Sequence, residues 1–285
     1  NKMTPSYFLN VYKDKGITSF DVIYKLRKIL NIKKIGHSGT LDPLASGVLQ
    51  VAVGNCSRLL EYLDDDKEYL ADIKFGYSST TDDDEGEKTF INEPKFEKSE
   101  LLKILKLFEG KIQQIPPKYS AIKVGGKKLC DIARKNEQMP QIRPRSVEIY
   151  KISLEEFKPS KSAKIRVCCS KGTYIRSLVR DIGDKLLCGA YMSDLVRVRA
   201  GNFFLENSSV IADDIEKHAI NPIDALNLNK IVLTQEEYVK VINGNPIAFR
   251  GVKTNDKKFM LIFNNSLVSI ANLSDNILKM EKVLK

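Results

Sequence analysis

The stretch Gly36–Gly47, GHSGTLDPLASG, packs three glycines, two serines, a histidine and an Asp-Pro into twelve residues between two hydrophobic segments. Spacing alone allows two readings. Asp42 can cap a one-turn helix that starts at Pro43 and is ended by Gly47. A carboxylate on a glycine-rich, solvent-reaching turn can equally attack a sugar carbon or act as a base. The spacing does not choose between them.

Outward from this turn, the chain reads as mixed helices and strands. Upstream, SFDVIYKLRKIL (19–30) puts Val22, Ile23, Leu26, Ile29 and Leu30 on one helical face, with Ser19 as its N-cap. Downstream, VLQVAV (48–53) reads as a buried strand, and KEYLADIKFGY (67–77) alternates with Tyr69, Ala71, Ile73 and Phe75 on one face. EKSELLKILKLF (97–108) is an amphipathic helix, SVEIYKISLEEF and AKIRVCCS are strands, and LVRVRAGNFFL (195–205) is strand-like. GTYIRSLVRDIGDKLL (172–187) is a helix buried through Ile175, Leu178, Val179, Ile182 and Leu186. Residues 110–145 differ, with prolines, paired glycines and many lysines and arginines around one short helix; they read as an exposed, basic, partly mobile excursion. Near 225 the pattern restarts. Thr234 and Glu237 form a capping box, Gly244 is a helix stop, and short strands follow, so a small β-rich appendix is expected over 229–285.

Composition excludes several classes. At 285 residues, 42% hydrophobic and 29% charged, the chain can bury a real core. It has no long apolar run, so no membrane span is expected, and the opening residues lack the apolar block of a signal peptide. Five cysteines without a CxxC pair argue against a disulfide framework or a structural zinc, and for a reducing, cytoplasmic setting. A nucleophile elbow needs G-x-S-x-G, which Gly36–Thr40 does not supply, and His218 is the only other histidine, which disfavours a Ser-His-Asp triad. KVGGKKL is not a phosphate-binding loop, and no dinucleotide fingerprint or metal spacing occurs, so neither nucleotide cofactor nor metal is expected. Gly36–Gly39 matches the GXXG of a KH loop only by its four letters. The net charge of +10 favours a polyanionic partner, nucleic acid above all.

GHSGTLDPLASG resembles the signature of the TruB-type tRNA pseudouridine synthases, G-H-[ST]-G-[TA]-L-D-P-x-A-[ST]-G. KEYLADIKFG, IPPKYSAIKVGGKKLCDIAR, CSKGTYIRSLVRDIGDKL and CGAYMSDLVRVRAG resemble further blocks of that family, in order, over roughly residues 8 to 205. INGNPI (242–247) resembles the opening of its PUA-like module. The resemblance implies an α+β fold: a catalytic domain over 1–228 with a mixed, mostly antiparallel sheet, and a small PUA-like RNA-binding β domain over 229–285. Segment 110–145 would be the mobile RNA clasp.

The implied activity is isomerisation of the T-arm uridine of tRNA, position 55, to pseudouridine on a flipped-out base, without cofactor or metal, by a monomer. Asp42 matches the catalytic aspartate, as nucleophile or base; Arg176 matches the arginine that pairs with it, and Tyr69 the tyrosine that stacks on the base. Tyr174 and Leu195 match residues lining the uracil pocket, and His37 the histidine that helps extrude the base. Lys13 matches the lysine of an early K-P-x-G turn, although Asp14 stands where proline is typical. Two other classes remain open: a dyskerin-type synthase using a guide RNA, and a non-catalytic RNA-binding or RNA-folding protein that could dispense with Asp42.

Overall fold

The computed structural model describes residues 5–284 apart from 121, 136, 137 and 253. Residues 121, 136 and 137 belong to the expected basic excursion, and that part of the expectation lies outside the described residues.

β1 (Tyr7–Lys13) leads into α1 (Ser19–Leu30), and the chain returns through β2 (Ile35–Ser38) and β3 (Ser46–Val53). β3 is buried along its whole length, which explains its near-continuous apolar run. β1 pairs antiparallel along one edge of β3, from Tyr7 opposite Val53 to Lys13 opposite Gly47. β2 pairs with the second half of the other edge, ending with Ser38 opposite Gln50.

A 3-10 helix over Gly54–Tyr62 carries the chain to β4 (Lys67–Phe75), buried at every second residue as its alternation requires. A small hairpin, β5 (Tyr77–Ser79) and β6 (Lys88–Phe90), precedes α2 (Lys98–Leu107) and β7 (Gly110–Gln114). The basic excursion holds β8 (Lys123–Val124), β9 (Lys127–Lys128) and α3 (Leu129–Arg134). β10 (Arg145–Lys158), β11 (Ser162–Cys169), α4 (Ile175–Lys185), β12 (Ala190–Ala200) and β13 (Phe203–Phe204) complete this part.

The main sheet runs β1-β3-β12-β4-β11-β10-β7, with β2 on β3 and β13 on β12. Its neighbours are antiparallel except β3 and β12, which meet in parallel where Ser46 faces Val196 and Gly47 faces Arg197. The fold is thus α+β with a mixed, mostly antiparallel sheet. The turn at 39–45 emerges where the edge of β3 changes partner from β2 to β12.

After α5 (Pro222–Ala225), the strands β14 (Asn229–Val232), β15 (Ile247–Ala248), β16 (Lys258–Phe263), β17 (Ser266–Ser274) and β18 (Ile277–Val283) form a second sheet, ordered β14-β16-β17-β18-β15. Within it lies α6 (Gln235–Ile242), opened by the Thr234–Glu237 capping box; Gly244 follows at φ +77°. This β domain docks on the 3-10 helix: Cys56, Leu59 and Leu63 share one core with Met260, Ile262, Leu267 and Ile270. The Tyr62 hydroxyl donates to Glu281 Oε1 at 2.7 Å beside it.

Two local expectations are corrected. Thr18, not Ser19, caps α1, with Asp21 closing the capping box. The buried Ser19 hydroxyl instead donates to the Leu41 carbonyl at 3.1 Å and accepts from the Leu41 N–H at 2.9 Å, tying α1 to the 36–47 turn. No one-turn helix follows Asp42. Its carbonyl accepts from Ala45 N at 3.0 Å in a single tight turn, and Gly47 lies inside β3. Burial of Leu44 and Ala45 in the core pulls the chain straight into the strand. Gly47 is held at φ +108°, where a Cβ would lie 2.3 Å from the Arg197 carbonyl oxygen. It is a glycine for close approach, not for helix termination.

Candidate active site

Leu41, Leu44 and Ala45 are buried in one core with Tyr69, Ile175, Leu178 and Leu195. Each large apolar side chain contributes about 1.5–3 kcal/mol on burial, so the turn is anchored on both sides of Asp42. The Asp42 carboxylate is left 39% exposed. Gly16 N–H donates to the Pro43 carbonyl at 2.7 Å, so the β1–α1 turn braces the same loop.

The exposed carboxylate forms an ion pair with Arg176. Arg176 Nε lies 2.9 Å from Asp42 Oδ2, while the arginine side chain is only 5% exposed. The rest of the guanidinium is held from behind. Nη1 donates to the Thr81 carbonyl at 3.3 Å and stands 3.8 Å from the buried Asp83 carboxylate, and Nη2 donates to the Tyr119 carbonyl at 3.1 Å. Asp83 is fixed in turn by the Thr81 hydroxyl at 2.5 Å and the Glu85 N–H at 3.1 Å. Arg176 therefore presents one N–H edge to Asp42 with the others committed. An arginine suits this task because its donors form a rigid planar fork.

Beneath the loop lies a group of buried cations. Arg197 is 1% exposed; its Nε donates to the Val48 carbonyl at 2.7 Å and its Nη2 to the Gly39 carbonyl at 2.8 Å. These bonds join β12 to both ends of the Asp42 turn. Lys13 is wholly buried, and its Nζ donates to the Asp14 and Ile17 carbonyls at 2.9 and 2.6 Å. Burial lowers its pKa to about 8, against the opposing pull of Asp42. Lys67, with Nζ 3.1 Å from the Asp65 carbonyl, is likewise lowered to about 8, by burial and then by the Arg197 charge.

Tyr69 faces Arg197 across β4 and β12, and burial raises its phenol above the ordinary value, so it is protonated at neutral pH. Leu195 is buried on β12 opposite Ala71. Tyr174, half-buried, is the N-cap of α4, and burial raises its phenol too. His37 lies on β2 opposite Val51, with Nδ1 buried and without a partner among the described residues. Burial, then Arg197, lowers its pKa, which keeps the ring neutral.

The structure thus joins Asp42 and Arg176 directly and gathers Lys13, Tyr69, Tyr174 and Leu195 around them. His37 lies on β2, and Arg197 is the charge that acts on it. Asp83, Arg197 and Lys67 adjoin these residues without being singled out by the sequence: Arg197 and Lys67 lie inside the family-like blocks CGAYMSDLVRVRAG and KEYLADIKFG, whereas Asp83 lies outside every such block. Lys67 also shares the parity of Tyr69, Ala71 and Ile73, which puts it on the buried face. Among the described residues, no group of three His, Cys, Asp or Glu side chains could hold a metal, and no helix is long and apolar enough to cross a membrane.

Comparison with known proteins adds the following. The family model for the N-terminal domain of TruB family pseudouridylate synthases matches residues 27–175, and that for the C-terminal domain of tRNA pseudouridylate synthase B matches 176–240. A tRNA pseudouridine synthase B of Syntrophomonas wolfei is 40% identical, over 94% of this chain and 93% of its own. The protein of that name from Staphylococcus aureus strain MSSA476 is 46% identical, over 74% and 71%. Among solved structures, a chain of a Cbf5–Nop10–Gar1 complex superposes with TM-score 0.73 at 27% identity, covering 97% of this chain and 84% of that one. A chain of an H/ACA RNP bound to a substrate RNA containing 2′-deoxyuridine gives 0.72 at 25% identity, covering 98% and 85%.

Proposed function

The chain belongs to the TruB family of pseudouridylate synthases, and on that premise we propose that it isomerises uridine to pseudouridine in tRNA with Asp42 as the catalytic carboxylate. The observation that carries this reading is the 2.9 Å pair of Arg176 Nε with a half-exposed Asp42, on a turn anchored in the core on both sides. The reaction breaks the C1′–N1 bond of uridine, turns the base and forms a C1′–C5 bond. The proton of C5 is lost and N1 gains one, so the change is redox-neutral and needs no outside group donor. As nucleophile on the sugar or as base, Asp42 must be directed at its target, and the 2.9 Å pair with Arg176 Nε fixes the direction of its carboxylate.

The finer assignments follow. The target is the T-arm uridine at position 55, flipped out of its stack at a cost of a few kcal/mol. Tyr69, Tyr174 and Leu195 line the pocket for the uracil ring, and the protonated Tyr69 phenol is available for proton transfer. Neutral His37 assists in extruding the base. Lys13 supports the loop from beneath rather than from the surface, because its ammonium is spent on its own turn. The excursion at 110–145 and the β domain at 229–285, read as PUA-like, extend the contact with the RNA. A guide-RNA-dependent mode is disfavoured: identity to proteins named tRNA pseudouridine synthase B is 40 and 46%, against 25 and 27% to the chains from H/ACA and Cbf5 complexes.

Asp42→Asn tests the assignment. Single-turnover release of tritium from C5-labelled uridine should fall below about a thousandth of the wild-type rate, within the range that covalent catalysis supplies. RNA affinity should stay within about tenfold, since phosphate contacts dominate binding. Turnover near the wild-type rate would mean the wrong carboxylate has been assigned.

A further inference from the structure

Gln114 is the last residue of β7 and lies opposite Arg145, the first residue of β10. Segment 115–144 therefore leaves and re-enters the sheet through this one pair, at the foot of the basic excursion. The Gln114 side chain is 1% exposed. Its Nε2 donates to the Tyr174 carbonyl at 3.0 Å and its Oε1 accepts from the Tyr174 N–H at 2.8 Å. One side-chain amide thus engages both backbone groups of a single residue.

That residue matters. Tyr174 is the N-cap of α4, and it makes no side-chain capping bond of its own. Its carbonyl also accepts the first helical bond, from Leu178 N at 3.1 Å. The peptide planes that Gln114 grips set the direction in which α4 starts, and Arg176 comes two residues later. The chain after Gln114 continues the attachment through its backbone. The Ile115 carbonyl accepts from Ser177 Oγ at 2.8 Å and from Arg180 Nη2 at 3.0 Å, and the Tyr119 carbonyl accepts from Arg176 Nη2.

We propose that Gln114 is a positioning residue for the reaction, an amide latch at the neck of the excursion that fixes Tyr174 and, through the start of α4, the Arg176 guanidinium against Asp42. The proposal rests on the reading of Arg176 and Asp42 given above. A buried amide is suited to this because it is neutral and offers a donor and an acceptor at once. A misplacement of about 1 Å in a reacting constellation costs about a hundredfold in rate.

The test uses the full-length chain and its Gln114→Glu and Gln114→Ala variants. Glu keeps the size and the acceptor but sets a carboxylate oxygen against the Tyr174 carbonyl; Ala removes both bonds. Rates are expressed per folded molecule from near-UV circular dichroism. Both variants should lose about ten- to a hundredfold in single-turnover rate while RNA affinity changes less than about threefold. Hydrogen exchange should accelerate at 174–178 without a matching rise in β4. In an Arg176→Lys background, Gln114→Ala should cost less than about threefold more, because both changes act through the same group. Unchanged rates in Gln114→Glu, a loss explained by weaker RNA binding, or full multiplicative loss on top of Arg176→Lys would each overturn the latch. A wild-type chain that releases no tritium would instead refute the enzymatic reading, so the two failures are distinguishable.

Discussion

At the scale of single residues, the site depends on side chains whose charge sits in the wrong place for an ordinary surface. Arg176 faces two carboxylates, one half-exposed and one buried, and Arg197, Lys13 and Lys67 are cations folded beneath a loop. The lysines give the site a pH signature with a definite sign. Both are lowered to about 8 in the folded chain from an ordinary value of 10.5, chiefly by burial. Above pH 8 the folded protein has released protons that the unfolded chain still holds, so stability rises with pH toward 10.5 as far as these groups decide it. Activity should move the other way, because deprotonation removes positive charge from under the Asp42 turn. The expected profile is turnover falling through about pH 8, with resistance to urea level or rising between about pH 8 and 9.5. A turnover rate that is flat across this window would show that the buried ammonium groups do not serve the reaction.

At the scale of elements, the parallel seam between β3 and β12 is what lets the Asp42 turn, Arg197 and Tyr69 converge. Gly47 makes that seam possible, since a Cβ there would lie 2.3 Å from the Arg197 carbonyl oxygen at a backbone φ of +108°. Gly47→Ala should therefore destabilise the fold by at least about 1–3 kcal/mol from backbone strain alone, read as a lower urea midpoint, and lower activity further by displacing Arg197. Wild-type stability in this variant would mean the seam is looser than the geometry requires. Much of the architecture was legible in the chain. α1 runs over the residues its apolar spacing marks, β3 and β4 follow continuous and alternating burial, and the Thr234–Glu237 box opens α6. The seam was not legible, because a parallel contact of two residue pairs leaves no periodic trace. In LVRVRAG, hydrophobicity would bury Val196 and Val198, yet Arg197 is buried between two half-exposed valines. The Gly39 and Val48 carbonyls, remote in sequence, accept from its guanidinium and hold it there. Asp42 and Arg176 were visible through their motifs, whereas Asp83 and Gln114 look like any polar residue beside a strand end.

At the scale of the whole molecule, two sheets form one body. The β domain at the C-terminal side shares a core with the 3-10 helix that follows β3 and is tied to it through Tyr62 and Glu281. Arg58 adds a bond to the Val283 carbonyl at 2.9 Å. The basic excess of +10 is spread over this assembly, which suits a folded polyanion rather than a small substrate. The Arg176–Asp42 pair and the net charge of +10 lie on one polypeptide, which is the basis for the proposal that it acts without a guide RNA. The direct measurement is tritium release from a C5-labelled T-arm stem-loop by the purified chain, without guide RNA, partner protein, metal or nucleotide. Multiple turnovers that are abolished by Asp42→Asn are expected; no release until a guide RNA or partner protein is added would contradict the stand-alone reading.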